Sequence, residues 1–154
     1  ENTLARYELG CALVKTGKWN EAAPQFEAAV SQMDSSSMMH FYLAMVYDKT
    51  SRAEKALSEF QNAVRRDPKN FPANLLLGRT LLEQERPAEA LPYLQKAAAL
   101  HPDATDPHQF MADAYTQLGR QAMANQELAE AGRIHARGGS RLGSQPENQF
   151  DGER

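Results

Sequence analysis

The chain has one cysteine, one tryptophan, no long apolar run and almost no net charge, and each scarcity removes a class of protein. A single cysteine, Cys11, forbids an internal disulfide. That fits a reducing cytoplasm first, and a disulfide-free periplasmic protein as well. Nothing approaches the ~20 consecutive apolar residues that a membrane-spanning helix needs. A formal charge of −3 offers no basic stripe for a phosphate backbone. The most basic stretch, with Lys49, Arg52, Lys55, Arg65, Arg66 and Lys69, is diluted by acids. It reads as a solvated helix face, so no nucleic-acid partner is expected. No glycine-rich phosphate loop and no nucleophile motif occurs.

What is present is a period of 34 residues, running from Thr3 through Ser37, Phe71 and Thr105 with no insertion or deletion. At one phase stand Ala22, Ala56, Ala90 and Ala124; four places on, Phe26, Phe60, Leu94 and Leu128; three further, Ala29, Ala63, Ala97 and Ala131. In the first half of each repeat Leu9-Gly10, Leu43-Ala44, Leu77-Gly78 and Met111-Ala112 align, each followed at helical spacing by Leu13, Tyr47, Leu81 or Tyr115. Spacings of three and four are helical. A small residue beside a large one lets a neighbouring helix approach the backbone. Thr16-Gly17-Lys18, Thr50-Ser51-Arg52, Glu85-Arg86-Pro87 and Leu118-Gly119-Arg120 are tight turns between antiparallel helices. Pro68 and Pro102 stop the helices before them. Pro24 and Pro92 are expected about one turn into the second helix, where the backbone amide has little or no intrahelical acceptor.

Two helices per 34 residues, repeated four times, predicts an all-α solenoid. The predicted domain covers residues 1–138, with repeats 3–36, 37–70, 71–104 and 105–138, and 139–154 reads as an unstructured tail of Gly, Ser, Asn, Gln and charge. In the last second-half helix Asn125 and Gly132 replace apolar residues, as the wetter outer face of a terminal repeat requires. The chain starts at Glu1 rather than methionine and enters a repeat at once, which reads as the loss of upstream sequence from a larger protein. Compartment is therefore left open.

The pattern Leu43/Tyr47/Ala56/Phe60/Ala63/Pro68, echoed by Leu77/Gly78/Ala90/Ala97/Pro102, resembles the tetratricopeptide repeat. It departs in lacking a leading tryptophan, whose place is taken by Arg6, His40, Asn74 and His108. A weaker period of 68 residues pairs repeats one with three and two with four, which either a duplicated repeat pair or convergence on family preferences explains. The resemblance implies a right-handed superhelix, a non-catalytic scaffold, and a concave groove lined by places two, five, nine, twelve and thirteen of each repeat. Those places hold Leu4, Tyr7, Cys11, Val14 and Lys15 in the first repeat, and Met38, Phe41, Met45, Asp48 and Lys49 in the second. In the third they hold Pro72, Leu75, Arg79, Leu82 and Glu83, and in the fourth Asp106, Gln109, Asp113, Thr116 and Gln117. The first half of that series is apolar and the second is polar and acidic.

The expected ligand is a peptide or partner helix whose apolar side chains meet Tyr7, Cys11, Met38, Phe41, Met45 and Leu75, oriented by Arg79, Asp106 and Asp113. The rival expectation is a structural spacer that packs its apolar N-terminal face on another copy or on upstream repeats. Some relatives clamp the carboxylate tails of chaperones with cations, but the matching places here carry Tyr7, Cys11, Tyr42, Phe41, Met45, Leu76, Pro72, Phe110 and the repelling Asp106. No such clamp is expected. No cofactor and no metal is expected either: His40 and His108 stand two repeats apart, and His101, Asp103, Asp106 and His108 read as a polar turn opening a helix.

Overall fold

A computed structural model of the chain describes residues 2–32 and 36–141. Among them the chain is all helix, in four antiparallel pairs: α1 (Thr3–Lys15) with α2 (Trp19–Gln32), α3 (Ser37–Lys49) with α4 (Ala53–Arg66), α5 (Phe71–Glu83) with α6 (Pro87–Leu100), and α7 (Asp106–Gln117) with α8 (Gln121–Ala136). This is the α-solenoid architecture that the period predicts. The second helices begin at 19, 53, 87 and 121, one period apart each time.

The turn inside every pair is the same turn. Gly17, Ser51, Glu85 and Gly119 occupy the left-handed region, with φ of 73°, 59°, 56° and 70°. The next amide in each case donates to the carbonyl five residues back: Lys18 to Leu13, Arg52 to Tyr47, Arg86 to Leu81 and Arg120 to Tyr115, at 2.8, 2.8, 2.9 and 2.8 Å. Left-handed geometry is cheap for glycine and costs another residue about 1–2 kcal/mol, a cost that Ser51 and Glu85 bear.

The two internal prolines, Pro24 and Pro92, lie about one turn into α2 and α6, as expected, but as the sixth residue of each helix, where an amide would have had an acceptor four residues back. Both lie on the exposed face, as do Asn20 and Ala88 four residues earlier. Water can therefore serve the carbonyl that the missing amide would have taken.

The repeating small and large residues form the core. Ala22, Ala56, Ala90, Ala124, Phe26, Phe60 and Leu94 are fully buried, and a Cβ at Gly78 would stand 2.5 Å from Leu94 Cδ2. Gly10 is pressed in the same way, its missing Cβ 2.8 Å from the Phe26 ring. Two members of the series depart. Leu128 is 52% exposed although Phe26, Phe60 and Leu94 share its phase, and Leu9 is 48% exposed although Leu43, Leu77 and Met111 are buried. Each sits on the first or last described helix, which has helical neighbours on one side only.

The chain divides into two compact units, Glu1–Asn70 and Phe71–Arg154, where the sequence predicts one domain to 138. The cut falls between the second and third repeats; a stacked-repeat chain makes only local contacts, which thin at a repeat boundary. The period of 68 has a counterpart inside each unit. His40 Nδ1 lies 2.5 Å from Glu59 Oε2 in the first, and His108 Nδ1 lies 2.7 Å from Glu127 Oε2 in the second. Each pair joins the first and second helices of its own repeat.

Order continues past the predicted end of the domain. Ser140 donates its amide to the Asp103 carbonyl and accepts from the Thr105 amide, and a Cβ at Gly139 would strike Ile134 and the Asp103 backbone. Residues 139–141 thus depart from the expected unstructured tail, because backbone bonds and a glycine fit tie them to the loop before α7; 142–154 lie outside the described residues.

Candidate functional site

The nine groove residues expected from sequence meet different fates. In the first unit Phe41 is 1% exposed, packed between the Phe60 and Tyr42 rings with centroids 6.1 and 5.5 Å away. Met45 is 6% exposed. These two are core, not ligand surface, because α3 packs against α1, α2 and α4 together. Tyr7 is half-buried, with its ring edge against Phe26 and Tyr42. Cys11 is half-buried too, and burial pushes its thiol above the usual range, as suits a packing residue rather than a nucleophile. Of the apolar residues at these places, Leu4 and Met38 are well exposed, at 57% and 45%.

In the second unit Leu75 is 1% exposed, buried where α5 lies against both α6 and α7. Asp106 is also buried, and its carboxylate faces Arg141 Nε at 3.5 Å. It holds the chain's own C-terminal segment at the start of α7, so it does not serve as a ligand-orienting acid.

Arg79 and Asp113 are the pair that the fold brings together. They line an open cleft of about 420 Å³ between α5 and α7. From α5 come Arg79, Leu82 and Glu83; from α7 come Phe110, Asp113, Thr116 and Gln117. Six of these seven stand at places nine, twelve and thirteen of repeats three and four. Phe110 at place six is the one that the sequence reading missed. Helical spacing could have found it, since 110, 113 and 117 fall on one face of α7.

The cleft is apolar at its base and polar at its lip. Leu82 is 6% exposed and Phe110 half-buried, while Asp113, Thr116, Gln117 and Glu83 are exposed. Arg79 Nε faces Glu83 Oε1 at 3.2 Å, one turn along α5. The Thr116 hydroxyl donates to the Ala112 carbonyl at 2.9 Å, and Gln117 Nε2 donates across to the Leu82 carbonyl at 3.3 Å. Asp113 has no hydrogen bond or ion pair among the described residues. Partial burial with nothing to offset it raises its carboxyl above the ordinary aspartate range.

Two further hollows lie elsewhere. One of about 600 Å³ runs beside α8, lined by Leu128, Ala131, His135 and Arg141 among others. A polar one lies at the turns of the first unit, around Lys18, Trp19 and Lys49. Among the described residues no three His, Cys, Asp or Glu side chains are grouped to hold a metal ion, and no helix is long and apolar enough to cross a membrane.

Comparison with known proteins agrees with this architecture. Two sequence profiles of the tetratricopeptide repeat match, one over residues 7–71 and 44–105, the other over 81–141. A curated relative, "Anaphase-promoting complex subunit 3" of Schizosaccharomyces pombe, is 25% identical over 120 residues. The match takes in 78% of this chain but only 18% of that protein. Among solved structures, a crystal structure of MamA superposes with a TM-score of 0.86 at 18% identity, covering 89% of this chain and 80% of that one. YrrB, described as a TPR protein with an unusual peptide-binding site, superposes with a TM-score of 0.82 at 22% identity, covering 87% of this chain and 69% of that one.

Proposed function

Because the chain belongs to the tetratricopeptide repeat family, we propose that it is a non-catalytic scaffold whose second unit takes a segment of a partner polypeptide in the cleft between α5 and α7. The observation that carries this reading is the cleft itself. Its volume falls within the ~300–1,000 Å³ typical of ligand sites, and it joins an apolar base to a few polar groups that can fix orientation. Side chains from the first helices of two successive repeats converge there. YrrB is a solved relative in fold described as having a peptide-binding site, which makes a peptide the natural first ligand to test. The apolar surface imagined on Phe41, Met45 and Leu75 drops out of the proposal, since those side chains are already occupied by the core.

A random dodecapeptide library displayed on phage and selected against the whole chain tests this. Enriched peptides should lose about tenfold or more in affinity on Thr116→Trp, which fills the cleft from an exposed position and leaves helicity unchanged. Binding that ignores this block, or a library that enriches nothing, would overturn the reading.

A further inference from the structure

The hydrogen-bond inventory of the same cleft says more about what enters it, an inference that rests on the reading above. The donors at its lip are turned inward: the Thr116 hydroxyl serves the Ala112 carbonyl, the Gln117 amide serves the Leu82 carbonyl, and Arg79 Nε faces Glu83. Beside the Nη groups of Arg79, what the lip offers a ligand is mainly acceptors. They are the Asp113 carboxylate with no partner, the Gln117 Oε1, the second oxygen of Glu83 and the lone pairs of Thr116. Of the three ionisable groups lining the cleft, one is a cation already facing Glu83 and two are carboxylates.

We infer that the cleft receives a lysine or arginine side chain of the partner polypeptide, carried beside an apolar residue. The aliphatic stem lies on Leu82 and Phe110, where the ring also attracts a cation over its face, and the charged head reaches Asp113. A donor-only group suits an acceptor-rich lip, and the cation offsets the desolvation that Asp113 bears unaided. A ligand carboxylate at the same point would meet Asp113 as a like charge, so acidic segments are rejected. The polarity is opposite to that of a carboxylate clamp.

The library-selected peptides decide the matter. They should share a basic residue next to an apolar one. Replacing that residue by glutamine, or Asp113→Asn in the protein, should each weaken binding about fivefold, with Asp113→Glu restoring it and added salt mimicking the loss. Selection against Asp113→Lys should enrich acidic peptides instead. Peptides blocked by Thr116→Trp that carry no basic residue and ignore Asp113→Asn would overturn the cation and leave the cleft reading standing. Peptides indifferent to Thr116→Trp would overturn both.

Discussion

Met45 and Asp113 stand at the same place of the repeat, one in each unit, and they lead opposite lives. Met45 is 6% exposed in a helix with nine buried residues in succession, Met39 to Tyr47; Asp113 is exposed on a helix whose buried positions are interrupted. Phe41 and Gln109 repeat the contrast at place five, the first fully buried and the second half-buried at the surface. A repeat place fixes the direction in which a side chain leaves its helix. Whether solvent lies in that direction depends on the neighbours, and α3 has three helices against it.

The largest test of that contrast is to cut both places. Replacing Phe41 and Met45 together by serine should cost about 3–5 kcal/mol or more in urea unfolding, while Asp113→Ser stays within about 0.5 kcal/mol. Equal effects would mean that α3 presents a surface after all. Next come two glycines within the second unit. Gly78→Ala drives a Cβ into Leu94 and should cost about 1–3 kcal/mol, whereas Gly132→Ala in α8 meets nothing within 4 Å and should gain about 0.5–1 kcal/mol. Smaller again are the turns. Ser51→Gly and Glu85→Gly should each stabilise by up to about 1 kcal/mol, and Gly17→Ala or Gly119→Ala should lose about as much, making the turns of the two units thermally interchangeable.

The smallest effect concerns pH. A carboxyl whose folded value is raised favours its protonated form, so stability from Asp113 falls as pH rises from the ordinary aspartate value through the raised one. Asp113→Asn should remove that slope from the melting temperature measured against pH, and a slope unchanged in the variant would show that other groups cause it.

Much of this was legible in residues alone. The alternation of Ala56, Phe60 and Ala63 with its three copies marks the second helices and their buried stripe, because a small residue is needed wherever two backbones close up. Turn positions were legible too, though glycine marks only two of the four left-handed residues that sit inside the helix pairs; Ser51 and Glu85 had to be read from the period. Pro24 and Pro92 were placed in the right part of the helix, but the carbonyl that each leaves unserved was not foreseen, since no local signal distinguishes a first-turn proline from a sixth-residue one on a wet face. Leu128 and Leu9 carry core phases and still face solvent, because the period describes a repeat with neighbours on both sides.

By itself the amino-acid sequence determined the helices, their turns and the angle at which each side chain leaves its axis. These follow from a backbone period and from local sterics, which one repeat states and the others echo. Only the tertiary structure decided that Phe41, Met45 and Leu75 are core, that Asp106 is held by Arg141, and that Arg79, Leu82, Phe110 and Asp113 meet around one cleft. Exposure and convergence are properties of packed neighbours, and a phase within a repeat carries no information about which neighbour has already filled the space.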